Sequence, residues 1–184
     1  FSANSGGDGW DPFFYDDYVL NIFHHDSSAV RLSCNLRSTG ERCPDFDPND
    51  DAKSRFAGYR AGDRSGGWVS GNTGVAYAFT AEISSDTPGA LCIDLNTAPP
   101  QDCGFTALSG ATNVTSYSPL SNAEGVGGRL FGSESVNHQL LCFDSATEAA
   151  CAGSPIQRAG NGTTAMYHVY PLGSKVFAST DTTL

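Results

Sequence analysis

The sequence predicts an all-β fold built from a repeated unit, and three features of the chain lead to this prediction. Gly occurs 21 times in 184 residues, and most polar positions are Ser, Thr, Asn or Asp, which favour turns. Apolar residues fall in short β-favouring runs without a helical period. Three pairs of cysteines recur along the chain at similar spacing. We therefore expect short antiparallel strands joined by turns.

The cysteine pairs lie in three similar stretches. These are "LSCNLRSTGERC" at 32–43, "ALCIDLNTAPPQDC" at 90–103 and "LLCFDSATEAAC" at 140–151. In each stretch a Thr follows the first Cys by five residues, at Thr39, Thr97 and Thr147. Since a period of about 50 residues is typical of propeller blades or arrays, the repeat predicts an architecture of that kind.

A β-favouring run precedes each cysteine pair. The runs are "VLNIFHHD", "VAYAFTAE" and "RLFGSE", and each carries a Phe followed three residues later by an acid. The Phe residues are Phe23, Phe79 and Phe131, and the acids are Asp26, Glu82 and Glu134. Each unit is therefore expected to consist of a strand, a loop, a Cys-bearing strand, a tight turn and a second Cys-bearing strand.

The repeats divide the chain into units of approximately 10–60, 61–115, 116–165 and 166–184. The last unit begins at "SKVFASTDTTL", with Phe177 in the position of the earlier Phe residues. We expect 1–184 to form a single β-propeller segment of about three and a half four-stranded antiparallel blades. Because propellers usually have about 4 to 8 blades, we expect the rest of the propeller, or a second chain, to complete the ring.

The cysteines are expected to form one disulfide in each hairpin. The pairs are Cys34 with Cys43, Cys92 with Cys103, and Cys142 with Cys151. A metal site would need CxxC-like spacing or nearby His ligands, and a redox site would need a CxxC motif, and neither pattern is present. Closing each loop of about ten residues would stabilise the fold by roughly 2 to 3 kcal/mol.

The "LCxDxxT" core resembles the D-x-x-T-G hairpin turn of quinoprotein-like and YVTN-type β-propeller repeats. The motif is matched at Asp94 and Thr97 and at Asp144 and Thr147, whereas the first unit has Leu36 in place of the Asp. The paired cysteines resemble a disulfide-stapled version found in secreted bacterial surface proteins. The resemblance implies propeller blades, and we expect the Asp and Thr of each turn to accept backbone N–H bonds.

Composition limits the partners and the compartment. The formal net charge is −10, which excludes nucleic acid as a partner because phosphate binding needs clustered Lys and Arg. No run reaches the roughly 18 apolar residues of a membrane span, so we expect no membrane insertion. There is no signal-peptide pattern, and any export signal is expected to have been removed. Six cysteines, an even set, predict a secreted, extracellular or cell-surface protein.

Acidic and aromatic residues are the candidates for binding. Asp45, Asp47, Asn49 and Asp51 alternate as in a calcium loop. Asp50 and Phe56 stand where an EF-hand has its Gly and its bidentate Glu, so the alternative is a solvated acidic turn.

The repeated acids Asp26, Glu82 and Glu134 would form an acidic ring that attracts a cation or a basic partner if the blades are equivalent. The alternative is that each acid ends its own strand. The exposed aromatics of a binding surface would come first from Trp10, Phe13, Phe14, Tyr15 and Trp68.

The function predicted from these features is binding or scaffolding by an extracellular or cell-surface propeller, in an adhesin or an extracellular assembly, with a protein or carbohydrate ligand. The alternative is an extracellular enzyme, a hydrolase or a quinoprotein-like dehydrogenase, with convergent His, Asp or Arg residues on one propeller face. No catalytic residue is assigned, and calcium is the one cofactor considered. A third possibility is two β-sandwich units in tandem.

Overall fold

The computed structural model of the chain describes twelve parts of it, which are residues 12–25, 29–44, 56, 58–60, 68–70, 74–85, 87–97, 100–108, 120–134, 139–156, 166–172 and 175–180. Every regular element in these residues is a β-strand. The predicted all-β class is therefore confirmed for the described part of the chain. Those residues include no helix with the length and hydropathy of a membrane span.

The strands form four antiparallel sheets. The first sheet contains β1 (Phe13–Tyr15), β2 (Tyr18–His25) and β3 (Ala29–Leu36). The second contains β4 (Tyr59–Arg60), β5 (Trp68–Ser70), β6 (Val75–Glu82), β7 (Thr87–Asp94) and β8 (Gln101–Ala107). The third contains β9 (Leu120–Val126), β10 (Arg129–Glu134), β11 (Gln139–Asp144) and β12 (Ala149–Ala150). The fourth contains β13 (Met166–Leu172) and β14 (Lys175–Thr180).

Neighbouring strands in the sheets are mostly neighbours in the sequence. The third sheet is a simple meander in which β9, β10, β11 and β12 follow one another. The second sheet differs because β4 and β5 share one edge of β6: β5 pairs with residues 76–78, and β4 pairs with residues 81–82. Short local connections explain this topology, since a tight turn can join only antiparallel strands.

Side-chain volume alternates across the central pair of strands, β6 and β7. On one face Ala76 and Ala78 stand opposite Ile93 and Leu91, respectively, and all four are fully buried. On the other face the large residue is on β6, where Phe79 stands opposite Ala90. A small residue opposite a large one fills each face evenly, which favours close packing on both sides of the sheet.

The second sheet therefore contributes to two hydrophobic cores. The first core lies between the first and second sheets and contains, among others, Leu20, Leu32, Phe56, Leu91 and Ile93. The second core lies between the second and third sheets and contains Tyr77, Phe79, Ala90, Leu108, Leu130, Leu141 and Phe143. The second sheet is thus a middle layer that is covered on both faces.

The stacked sheets run in the same direction. The ring of Tyr77 packs against that of Phe143, with centroids 4.9 Å apart, and Phe143 stands opposite Leu130 on β10. A Cβ at Gly132 would lie 3.5 Å from the Phe79 ring. Residues 77 and 79 of β6 are therefore level with residues 130 and 132 of β10, so β6 and β10 are parallel across the layers.

The first two sheets are aligned in the same way. The Gly74 N–H, directly before β6, donates to the Tyr15 hydroxyl at 2.6 Å, and Tyr15 stands opposite Tyr18 at the start of β2. The strands β2 and β6 therefore begin at the same end of the stack. The two ends of the stack can then be named. The disulfide end carries the turns between the cysteines. The acid end carries the last residues of β6 and β10, which are Glu82 and Glu134.

The strand register corrects the alignment of the repeated Phe residues. Phe131 stands opposite Cys142, but Phe79 stands opposite Ala90 and Phe23 opposite Arg31. The residues opposite the first Cys of each pair are Leu20, Tyr77 and Phe131. The ladders of β2 with β3 and β6 with β7 have eight pairs, whereas that of β10 with β11 has six, so equal spacing along the chain does not mean equal register.

Candidate functional site

Three disulfides close at the predicted pairs. They join Cys34 to Cys43, Cys92 to Cys103 and Cys142 to Cys151, with Cα–Cα separations of 5.4, 5.0 and 5.3 Å. These separations are typical of a disulfide between adjacent strand segments. All six cysteines are used, so none remains as a thiolate for metal binding or redox chemistry.

The Asp–Thr turns at the disulfide end have a structural role. Asp94 Oδ1 accepts the backbone N–H of Asn96 at 2.9 Å, and Asp144 Oδ1 accepts that of Ala146 at 3.0 Å. The prediction for Asp is therefore confirmed. In these two turns the Thr97 and Thr147 hydroxyls donate to the carbonyl of the Asp three residues earlier, at 3.1 and 3.5 Å.

In the first unit an acid from another turn accepts the equivalent backbone N–H. Leu36 replaces the Asp, and the N–H that the Asp would accept belongs to Ser38. The Asp17 carboxylate accepts this N–H at 2.8 Å and the Ser38 hydroxyl at 2.6 Å. In this turn Thr39 does accept a backbone N–H, that of Glu41, at 3.2 Å. The sequence motif is interrupted here, but the hydrogen bond that it makes is retained.

An ion pair links the third-unit turn to the neighbouring strand. The Nε of Arg129 lies 2.9 Å from Oδ2 of Asp144, and the two residues stand opposite each other on β10 and β11. Hydrogen bonds from the Arg129 side chain and from the Ala146 N–H lower the pKa of Asp144 below its usual value. Asp144 therefore remains an anion, and its hydrogen bonds stabilise the turn. We assign it no chemical role.

The acid end holds two of the three predicted acids. Glu82 stands opposite Thr87 and Glu134 opposite Gln139, and each is the last residue of its strand. The Ser85 hydroxyl donates to Glu82 Oε2 at 2.6 Å. Because β6 and β10 are parallel across the layers, these two positions lie at the same end of adjacent sheets.

A buried amide lies beside the acid end. Gln139 is 8% exposed, and its Oε1 accepts no hydrogen bond from the described residues. Leaving a buried carbonyl oxygen without a donor costs about 1 to 3 kcal/mol. The acid end therefore has an acceptor that a donor group from outside the described residues could satisfy. Sequence patterns did not indicate this residue, since a single Gln at the start of a strand is not a motif.

Two tyrosine–carboxylate pairs were also not predicted. Burial, followed by a hydrogen bond to Glu148, raises the pKa of Tyr77 to about 12. Burial, followed by a hydrogen bond to Asp102, raises the pKa of Tyr59 to about 12. Both phenols are therefore neutral at physiological pH and cannot serve as anionic nucleophiles or bases there. The Tyr77 pair connects the second and third sheets, so its role is to hold the layers together.

Most of the remaining predicted residues lie outside the described part of the chain. These are Trp10, Asp26, Asp45, Asp47, Asn49 and Asp51, so the calcium site remains a prediction. Trp68 begins β5 and stands opposite Ala78. Within the described residues no group of three or more His, Cys, Asp or Glu side chains could hold a metal ion.

The described aromatics near the N-terminus divide between core and surface. Phe13 and Tyr15 pack against the first core, whereas Phe14 on the edge strand β1 is 56% exposed. Of these three aromatics, Phe14 is therefore the one that remains available to a partner, as the alternation of side chains along a strand requires.

Comparison with known proteins does not assign the chain to a family. No protein-family model matches it, and no curated protein shows significant similarity to its sequence.

Proposed function

We propose that the chain forms consecutive blades of an exported β-propeller and acts as an extracellular or cell-surface binding or scaffolding module. The observation that carries the proposal is the position of the second sheet. Both of its faces are buried, and the sheets that cover them run in the same direction. Similar antiparallel sheets stacked face to face in one direction are the arrangement of propeller blades.

The alternative of two β-sandwiches in tandem agrees less well with this packing. In a sandwich each sheet buries one face and leaves the other polar and solvated. Here Ala76, Ala78, Leu91 and Ile93 belong to the first core, whereas Tyr77, Phe79 and Ala90 belong to the second. The two strands β6 and β7 supply residues to both cores, which favours a stack of blades.

Export is supported by the disulfides. Three disulfides in one all-β chain indicate an oxidising environment, because reducing systems keep cytosolic thiols free. The resemblance of the Asp–Thr turns to quinoprotein-like and YVTN-type repeats agrees with an exported propeller. It does not add a cofactor or a catalytic role, since propellers support many unrelated activities.

The acid end is the proposed binding surface. Glu82 and Glu134 are the last residues of β6 and β10, at the same end of adjacent sheets. Carboxylates accept hydrogen bonds from Lys and Arg side chains, and the net charge of −10 attracts cations over a longer range. The ligand that fits this surface is a basic segment of a protein partner.

The test is the binding of a Lys-rich peptide, measured by calorimetry at low and physiological salt. The variant Glu82→Gln/Glu134→Gln is expected to weaken binding roughly 5- to 10-fold at low salt, with a smaller effect as salt screens the charges. The matched control is Asp16→Asn/Glu41→Gln, which removes the same charge at the disulfide end. Equal loss in both variants would show non-specific attraction, and preferential binding of neutral glycans would contradict a basic protein ligand.

A further inference from the structure

In the first and third units the disulfide joins two segments that are also hydrogen-bonded at the cysteines. The Cys43 N–H donates to the Cys34 carbonyl at 3.0 Å, and the Cys151 N–H donates to the Cys142 carbonyl at 2.9 Å. Cys34, Cys43 and Cys142 are buried, and Cys151 is half-buried. Neither disulfide therefore includes a fully exposed cysteine.

The second disulfide lies on a β-bulge in an edge strand. Cys92 on β7 stands opposite Gly104, and Ile93 stands opposite Asp102, so Cys103 is an extra residue on β8. Among the described residues, β8 is the last strand of its sheet. A bulge redirects the side chain that it carries. Cys103 is exposed, whereas Cys92 is half-buried and packs against the second core.

The space beside the bulge is open. Gly104 is exposed, and apart from its chain neighbours no atom lies within 4 Å of the position that a Cβ would take there. A thiolate that opens a disulfide must reach one of its two sulfurs. In this disulfide the sulfur of Cys103 is therefore the accessible one.

The surroundings of Cys103 favour a small ligand. None of the described residues of β7 and β8 is a large apolar side chain that is exposed. A protein partner usually needs such side chains as anchors, since buried aromatic and apolar groups provide most of the binding energy of an interface. A covalent bond to sulfur needs no such surface.

Contacts that do not involve the disulfide hold the strand around Cys103. The Gly104 N–H donates to Asp102 Oδ1 at 2.8 Å, and the Phe105 ring packs against that of Tyr59, with centroids 5.3 Å apart. Six residue pairs join β7 to β8 on the two sides of the bulge. We therefore expect β8 to stay in place when the disulfide opens.

We propose that Cys103 is an attachment site for a small-molecule thiol. The thiolate of the ligand attacks Sγ of Cys103, the bond between the two cysteine sulfurs breaks, and Cys92 leaves as a thiolate that takes a proton from solvent. One disulfide is thus exchanged for another, a mixed disulfide between the ligand and Cys103. All six cysteines of the chain are paired, so the attacking thiolate comes from the ligand.

The exchange is reversible, because Cys92 remains opposite the bulge and its thiolate can attack the mixed disulfide and release the ligand. The site lies at the disulfide end, so the proposal is independent of the ligand proposed for the acid end.

The test uses reduced glutathione as the probe and the folded 184-residue chain with its three disulfides closed. Samples are quenched with acid, free thiols are alkylated, and intact mass and peptide mapping locate the adduct. The first product is expected to carry glutathione on Cys103 and an alkyl group on Cys92, with the other two disulfides intact. Circular dichroism is expected to show the native spectrum at that stage.

Two paired variants serve as matched controls. Cys92→Ser/Cys103→Ser is expected to lose the first adduct completely, whereas Cys142→Ser/Cys151→Ser is expected to keep it on Cys103. The wild-type map decides the proposal even if a variant does not fold.

The proposal is overturned if the wild type forms no mixed disulfide, or if its first adduct lies on Cys92 or on a cysteine of another pair. It is also overturned if the adduct appears only as fast as the native spectrum is lost, since unfolding would then expose the sulfur.

Discussion

The Asp17 carboxylate accepts both the backbone N–H and the hydroxyl of Ser38, although the two residues are 21 positions apart. Asp94 and Asp144 each perform this task for the N–H two residues further along their own turns. Asp17 lies in the turn between β1 and β2, so the first unit takes its turn acid from an adjacent hairpin. The three turns are thus equivalent in hydrogen bonding but not in sequence.

Replacing Asp17 by Ala is therefore expected to lower the free energy of unfolding by about 1 kcal/mol, since the Ser38 N–H loses its acceptor. Urea denaturation followed by circular dichroism measures this change. The control is Asp16→Asn, because Asp16 has φ 50° and Asn tolerates such a conformation. If Asp17→Ala were as stable as the wild type, the hydrogen bonds from Ser38 to Asp17 would contribute nothing to the free energy of unfolding.

Tyr59 and Tyr77 are expected to lose their phenolic protons at higher pH than the other tyrosines. Their folded pKa is about 12, above the usual value of about 10, so the folded state holds the phenolic protons more tightly than the unfolded state does. The stabilisation that results is complete below pH 10 and is lost as the pH rises towards 12. Ultraviolet absorbance of tyrosinate should resolve the late groups from the remaining tyrosines.

A variant assigns this behaviour to one pair. Glu148→Gln removes the negative charge beside Tyr77, so the pKa of Tyr77 should fall while that of Tyr59, which is paired with Asp102, stays high. If the pKa values of both tyrosines fell together, the change would come from looser packing between the sheets and not from the loss of one carboxylate.

Two glycines on adjacent sheets should respond oppositely to alanine. A Cβ at Gly89 would collide with the Thr106 carbonyl and the Phe105 ring, so Gly89→Ala is expected to cost about 1 to 3 kcal/mol. A Cβ at Gly132 would make an ordinary contact, 3.5 Å from the Phe79 ring, so Gly132→Ala should be neutral or stabilise by up to about 1 kcal/mol. Denaturation midpoints compare the two, and a larger loss in Gly132→Ala would contradict the packing of the second and third sheets.

The disulfides should differ in their access to reductant. Cys103 is exposed, whereas Cys34 and Cys43 are both buried, and exchange requires a thiolate to reach a sulfur. Graded reduction followed by alkylation and peptide mapping should therefore open Cys92–Cys103 first and Cys34–Cys43 last. The same map checks the pairing, and a reversed order would show that exposure does not control the rate.

Local features of the chain were predictable because they depend on residues that are close in sequence. The strands around the cysteines, the three disulfides and the Asp-capped turns all follow from spacings of about ten residues, over which a hairpin has few alternatives. The exceptions have a common cause. Each exception depends on strands or layers that meet across longer separations in the sequence. These exceptions are the register of Phe23 and Phe79, the use of Asp17 in place of an Asp at position 36, and the two tyrosine–carboxylate pairs.

The amino-acid pattern alone was sufficient for the all-β class, the cysteine pairing and the acids at the ends of β6 and β10. Packing between layers decided the rest: that the second sheet is buried on both faces, and that Gln139, beside the acid end, buries an amide oxygen for which the described residues offer no donor. The physical reason is that hydrogen bonding within a hairpin is a local property. The burial of one sheet against another depends on the volumes and register of every residue on two faces, which no single repeat contains.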